Sequence, residues 1–297
     1  MRFSQIRTKF KRNQPVLIIT LHLCDASIFE LGSLMGFDGL WIDMEHHAHS
    51  LETVQNLMRA ARIGPADILT RPAKGEFMRM GRMLEAGAQG IIYPRCDNAA
   101  EARELVKWAK FPPLGTRGCD GGNPDNPYCC TPTAQYLEHA NEQTFLVAQI
   151  EDPHALEHAE EIAAVEGIDA LFFGPGDFSA LAGFPGQINH ARIREATDRI
   201  AKATQQAGKH WGTPVNSAEE ARELIDRGAR FLAHNSDILL VKEGFERIQR
   251  EFSTIGLSFE NQLNGFADSP PPVKEPNFNK RSSAHRKEFS SETLRHG

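Results

Sequence analysis

The chain has 297 residues, 33 lysines and arginines against 39 aspartates and glutamates, a net charge of −6 and 40% apolar residues. That length and apolar fraction suit one large domain with a sizeable core, and the acidic balance gives no reason to expect nucleic acid as a partner. No apolar run approaches the ~18 residues that a membrane span requires, so a soluble protein is expected.

In chain order, the basic residues Arg2, Arg7, Lys9, Lys11 and Arg12 precede an apolar run at 16–23. The run is short, contains His22 and lacks a small-residue cleavage site, so it reads as a first strand and not as a secretory signal. Seven more apolar runs follow at 39–45, 67–71, 90–95, 145–151, 170–177, 210–215 and 230–237. Helical periodicity marks 51–63, 78–86, 99–110, 155–165, 191–207, 218–227 and 238–252, with Ser50 and Ser217 placed to cap two of these helices. Successive strands begin roughly 20 to 30 residues apart, as parallel crossovers require. Eight strand-then-helix units predict an α/β fold of the (β/α)8 TIM-barrel type over residues 1–256.

One gap is long. Residues 95–145 hold one helix, then Pro112-Pro113-Leu114-Gly115-Thr116-Arg117-Gly118 and a stretch rich in Gly, Pro and Asn up to Pro132, an insertion expected to be a functional loop. Its Cys129-Cys130 pair reads as plain loop, with redox activity or metal binding as the alternatives. The five cysteines have no disulfide-scaffold spacing, and a reducing cytoplasm fits them best. Residues 257–297 turn polar, with Ser269-Pro270-Pro271-Pro272 and few apolar positions, and a disordered tail without chemistry is expected there.

A barrel site is assembled at the carboxyl ends of its strands, so the polar strand tips are the candidates. Glu151 and Asp177 end neighbouring runs, and strands about 4.8 Å apart place their carboxylates within reach of one hard divalent cation. Taken singly, each acid reads first as a cap on the next helix. The Gly174-Pro175-Gly176 sequence before Asp177 favours a metal-chelated substrate acid, because glycine permits close backbone approach. Gln149 shares a strand face with Glu151 and is placed to support that site. Arg71 is either the fixed positive charge for a developing enolate or a structural ion pair at the rim. His46 is the acid/base candidate, with Asp43 or Glu85 to orient it. His46, His47 and His49 together are alternatively a transition-metal cluster, but consecutive side chains diverge, and His47 and His49 are read as bystanders.

These residues resemble the class II, metal-dependent pyruvate aldolases, the family that includes 4-hydroxy-2-oxoheptanedioate aldolase and the 2-keto-3-deoxy sugar-acid aldolases. The resemblance runs from about residue 16 to 252 and rests on Phe37-Asp38-Gly39-Leu40-Trp41-Ile42-Asp43-Met44-Glu45-His46, Thr70-Arg71-Pro72, the stretch 83–90, the loop 112–118, Gln149-Ile150-Glu151 and Gly174-Pro175-Gly176-Asp177-Phe178-Ser179. It implies that Glu151 and Asp177 hold a divalent metal, Mg²⁺, Mn²⁺ or Co²⁺. It also implies a 2-oxo acid against Arg71, Gln149 and 174–176, and His46 with an acid partner moving the proton at the aldol hydroxyl. The implied assembly is a homo-oligomer, a hexamer of three dimers that exchange the last barrel helix, here 238–252. Glu85 stands where the family typically has aspartate, Met44 and His47 stand at positions usually smaller, and the loop continues unusually after Gly118.

The leading expectation is therefore reversible cleavage of a 4-hydroxy-2-oxo acid to pyruvate and an aldehyde. Decarboxylation of oxaloacetate reaches the same enolate and is the alternative within the same site. A non-catalytic barrel that binds a 2-oxo acid is the alternative of another class.

Overall fold

The computed structural model describes residues 2–263. The chain divides into two compact units, Met1–Gly244 and Phe245–Gly297. In the first, eight strands pair in sequence order into a closed barrel: β1 Val16–Leu21, β2 Gly39–Asp43, β3 Asp67–Arg71, β4 Gly90–Tyr93, β5 Phe145–Ile150, β6 Ala170–Phe173, β7 His210–Pro214 and β8 Phe231–Ser236. Every pair is parallel, and β1 bonds to both β2 and β8, which closes the sheet. The expected TIM barrel is the fold of the chain.

Among the described residues, twelve α-helices accompany the strands: α1 Gln5–Lys11, α2 Ala26–Leu34, α3 Leu51–Ala61, α4 Phe77–Ala86, α5 Ala99–Ala109, α6 Thr133–Gln143, α7 Pro153–Glu157, α8 Ala159–Ala163, α9 Pro175–Leu181, α10 Ala191–Ala207, α11 Ala218–Asp226 and α12 Asp237–Ser253. The Ser50 and Ser217 hydroxyls accept from the amides of Thr53 and Glu220, each at 3.1 Å, so both expected caps form. The stretch read as one helix at 155–165 is two short ones. The chain leaves helical geometry at His158, where φ is −104°, and Pro153 starts the first of them in the position where proline costs no hydrogen bond.

Side-chain alternation sorts the barrel into two cores. Leu40, Ile42, Ile68, Leu146, Ala148, Ile150, Leu171 and Phe173 point outward and pack under the helices. Trp41, Leu69, Phe145, Val147 and Phe172 point inward, joined by Ile6 and Phe10 of α1, which close the amino end of the barrel. Gly39 permits that closure, since a Cβ there would lie 2.6 to 3.0 Å from Leu69, Ile18 and Ile6 side chains. Two residues on from inward-facing positions come Asp43, Arg71 and, one past the end of β5, Glu151.

Most strands stop short of the apolar runs, because the polar tips leave the ladder. The run at 170–177 is the largest departure: β6 ends at Phe173, and Pro175, the first residue of α9, starts the helix early. Asp177 consequently sits in the first turn of α9 and not on a strand.

The second unit begins inside α12, and its described part runs to residue 263. Phe245, Ile248, Phe252, Ile255 and Leu257 are exposed in it. The polar tail expected from residue 257 lies, from 264 onward, outside the described residues.

Candidate active site

The register of β2 on β3 sets Asp43 directly beside Arg71. The guanidinium donates to Asp43 twice, from Nε at 2.9 Å and Nη2 at 2.6 Å, and its Nε also lies 3.2 Å from Glu45. Nη1 reaches Gln149 Oε1 at 3.4 Å, and the guanidinium carbon lies 4.9 Å from the centre of the Trp41 ring. Both charges are buried, so a bidentate, stacked arrangement is needed to offset their desolvation. Burial works to raise the Asp43 carboxyl, but Arg71's hydrogen bonds and charge outweigh it and hold the group below its usual range. The same partners overcome the burial of Arg71 and hold its proton more firmly than usual. Arg71 is therefore a fixed cation facing the barrel mouth.

Across the barrel, Glu151 follows β5 and is 2% exposed. Burial, and then the Asp177 carboxylate within hydrogen-bond reach, push its carboxyl up to about 8 against the opposing charge of Arg71. Two carboxylates placed this close cannot both ionise without a cation between or beside them. The backbone also makes room for them: a Cβ on Gly174 would lie 3.0 to 3.2 Å from the Cγ, Cδ and Oε2 atoms of Glu151. Gly176 meets no such neighbour, so close approach is a property of Gly174 alone. Arg95, held at φ 46°, donates its amide to Glu151 Oε1 at 3.3 Å. Paired carboxylate oxygens beside a crowded glycine match the ligand chemistry of Mg²⁺ or Mn²⁺, and Glu151 and Asp177 are the two residues here able to hold such an ion.

His46 lies beyond β2 with an exposed ring whose Nε2 is 3.6 Å from Glu45 Oε2. The expected orienting partners are placed otherwise. Asp43 accepts only the backbone amide of His46, at 3.4 Å, because its carboxylate is committed to Arg71. Glu85 on α4 faces the charges of Arg117, Asp125, Asp120 and Arg82, and it does not line the cavity that His46 lines. The carboxylate beside the ring is instead that of Glu45, a polar tip of the same strand end that was not singled out to orient His46. Consecutive side chains diverge on a regular strand, but β2 ends at Asp43, and the bends at 45–47 bring both side chains to one side.

A cavity of about 840 Å³ joins these groups, lined by Asp43, His46, Arg71, Gln149, Glu151 and 174–177. Trp41, His22, Asn189 and Arg194 also line it. His47 and His49, read as bystanders, meet other imidazoles: His47 stacks on His22 with centroids 4.1 Å apart, and His49 on His47 at 5.6 Å. Burial and then the neighbouring His47 hold His22 and His49 below the ordinary histidine range. His22 was legible only as a polar interruption of the first strand, and its neighbours come from a different strand end.

A clamped arginine opposite a carboxylate pair, at the carboxyl end of a closed parallel barrel, belongs to barrel enzymes that stabilise negative charge developing on a small, oxygen-rich substrate. Within that class the chain is a member of the HpcH/HpaI aldolase/citrate lyase family, whose profile matches residues 20–243. It is 33% identical over 241 residues to a hydroxypyruvate/pyruvate aldolase of Delftia acidovorans, covering 81% of this chain and 89% of that protein. It is 31% identical to a 4-hydroxy-2-oxo-heptane-1,7-dioate aldolase of Klebsiella pneumoniae, over 84% of this chain and 94% of that one. The crystal structure of an HpcH/HpaI aldolase from Desulfitobacterium hafniense superposes with a TM-score of 0.78 at 28% identity, covering 85% of this chain and 97% of that one.

Proposed function

We propose that this protein is a divalent-cation-dependent aldolase that reversibly cleaves a 4-hydroxy-2-oxo acid to pyruvate and an aldehyde. The observation that carries the reading is Arg71, fixed by Asp43 and facing the Glu151–Asp177 pair in one cavity. When bound to that pair, a divalent cation supplies Lewis acidity at the oxygens of the 2-oxo acid. Magnesium, manganese and cobalt are the candidates.

The chain's own groups account for the proton and charge movements. His46 accepts the proton of the C4 hydroxyl, directly or through a water. Glu45 lies 3.6 Å from Nε2 and its charge favours the imidazolium that forms when His46 takes the proton. The C3–C4 bond breaks, its electron pair passes to C3, and the aldehyde separates. Arg71 balances the negative charge that spreads onto the C2 oxygen of the three-carbon fragment, and Gln149 holds the guanidinium in place. The proton that His46 accepted then passes through water to C3, which completes pyruvate and restores His46. Gly174, Pro175 and Gly176 form the wall on which the substrate carboxylate rests.

Assembly is part of the same proposal. On the outer face of β1 and β8, Val16, Leu17, Val215, Ala221, Ile225 and Leu232 line an open, largely apolar groove of about 620 Å³. Ile238, Leu239 and Leu240 of α12 are themselves exposed. This supports a homo-oligomer, with a hexamer of three helix-exchanging dimers as the expected state, which light scattering on the purified protein would test. No helix among the described residues is long and apolar enough to cross a membrane. The five free cysteines favour the reducing cytoplasm.

The deciding experiment measures pyruvate release from a panel of 4-hydroxy-2-oxo acids and oxaloacetate, using EDTA-stripped protein with Mg²⁺, Mn²⁺ or Co²⁺ restored. Cleavage of a hydroxy-oxo acid only after metal return is the expected result. Turnover of oxaloacetate alone would make the protein a decarboxylase, and binding of pyruvate without turnover of any substrate would make it a non-catalytic barrel.

A further inference from the structure

Away from the Glu151–Asp177 pair, a second group of ligating side chains converges. His22 after β1, and Asp43 and His47 at and beyond the end of β2, each bring one ligand atom, and all three atoms lie within 4.8 Å of one another. The donors differ in kind from the carboxylate pair. Two imidazoles and one carboxylate suit borderline ions such as Zn²⁺, whereas oxygen-only sites suit Mg²⁺.

The surroundings fit a ligand set. The backbone amides of His22 and Leu23 donate to the two carboxylate oxygens of buried Asp237, each at 2.9 Å, which fixes the segment that carries His22. The two imidazoles already stack at 4.1 Å and are only half-buried, so each ring can turn. Ligand atoms around a tetrahedral zinc ion with ~2.0–2.1 Å bonds stand about 3.3 Å apart, which side-chain rotation reaches from the observed spread. In Asp43, Oδ1 accepts from Arg71 Nε and from the amides of Glu45 and His46, whereas Oδ2 accepts only from Arg71 Nη2. Oδ2 therefore keeps an acceptor position open.

We propose that His22, His47 and Asp43 form a second cation site, selective for borderline divalent ions of the zinc class, and that its occupation loosens Arg71. The coupling follows from the shared ligand. A dication on Oδ2 would lie close to the guanidinium nitrogen now 2.6 Å from that oxygen, and like-charge repulsion would weaken the clamp. Zinc is thus an inhibitor acting from outside the carboxylate pair, a consequence that rests on the aldolase reading, whereas the binding site itself does not.

Binding is tested on the full chain with cobalt(II) as probe, in excess Mg²⁺ so that the oxygen site is filled. Tetrahedral cobalt with nitrogen ligands absorbs intensely in the visible, whereas octahedral cobalt among oxygens absorbs weakly. The expected result is an intense band that Zn²⁺ abolishes, that falls in His47→Asn and that disappears in His22→Asn/His47→Asn, with the circular dichroism of all three proteins alike. A missing band in the wild type, or one unchanged in the double variant, overturns the site. With magnesium-supported pyruvate formation as readout, Zn²⁺ should slow the wild type at least roughly tenfold and His47→Asn far less. Equal inhibition of both proteins overturns the coupling. If no substrate is turned over, the aldolase reading fails while the cobalt band still decides the site.

Discussion

Asp43 and Arg71 face each other across the β2–β3 ladder, joined by two hydrogen bonds of 2.9 and 2.6 Å, and both are almost fully buried. The carboxylate therefore acts on the reaction through the guanidinium that it orients. Asp43→Asn keeps the shape but removes the charge and one acceptor. It should lower turnover about 10–100-fold, with Arg71 left partly uncompensated and stability reduced by about 3 kcal/mol. Steady-state kinetics and denaturant titration together check this; unchanged kcat would show that Arg71 needs no clamp.

Removing either carboxylate of the pair should act differently. Glu151→Gln and Asp177→Asn are expected to abolish metal-supported turnover, by a factor on the order of 10³, while the fold persists because the strain of two crowded acids is relieved. Isothermal titration with Mn²⁺ should show the affinity lost in parallel. Retained affinity in both variants would place the cation elsewhere.

Gly174→Ala inserts a methyl group 3.0 to 3.2 Å from the Glu151 carboxylate arm. The barrel should survive, and metal affinity should fall about tenfold as the acid is pushed aside. A metal titration of activity checks it: a rightward shift with nearly unchanged saturating rate is expected, and no shift would show that Glu151 has room to spare.

The roles of His46 and Arg71 separate by reaction. Decarboxylation of oxaloacetate needs no hydroxyl deprotonation, so His46→Ala should cut aldol cleavage by about 10²–10⁴-fold and leave decarboxylation much less affected. Equal losses in both reactions would remove the proton-transfer role. Glu45→Gln, which disturbs only the orientation of His46 and one contact to Arg71, should fall between wild type and His46→Ala.

Far from the mouth, Asp67 is fully buried and accepts from the Ser4 hydroxyl at 2.5 Å and the Ile6 amide at 2.8 Å. Burial pushes its carboxyl up to about 6 from an ordinary value of 3.8. Above 3.8 the unfolded chain gives up this proton while the folded one keeps it. The stabilisation from the neutral form is thus fully present at low pH and is lost as pH rises through about 6. The expected loss is about 3 kcal/mol in all, of which about 2 kcal/mol falls between pH 4 and 6, read as the difference between wild type and Asp67→Asn in urea titrations. Parallel stability curves for the two proteins would show that Asp67 ionises normally.

Repeats made the barrel legible, because eight buried parallel strands must read as eight apolar runs separated by helical periodicity. The positions Asp43, Arg71, Gln149 and Glu151 were legible for the same reason, since each falls at the polar end of a run. The places that were not legible lack such a signal. Helix α6 carries buried Tyr136, Ala140 and Gln143, too sparse and too polar a stripe to stand out after a glycine- and proline-rich loop. Asp177 reads as a strand tip because Phe172-Phe173 continues the apolar run, and only Pro175 marks the change to helix. Glu45 was legible as a polar tip, but its closeness to His46 comes from the bends beyond the end of β2, which leave no sequence signal. The His22–His47 pairing joins two strand ends and has no one-dimensional trace.

Helix α1 brings one more consequence. With Ile6 and Phe10 seated among Ile18, Phe231 and Phe172, the barrel is closed at its floor, and the cavity lies at the carboxyl ends of the strands. Within the proposed reaction, the three-carbon fragment lies against Arg71 and Glu151, and the aldehyde lies between it and the exit. The aldehyde must then depart first, and pyruvate added to the assay should compete with the substrate for the same resting enzyme.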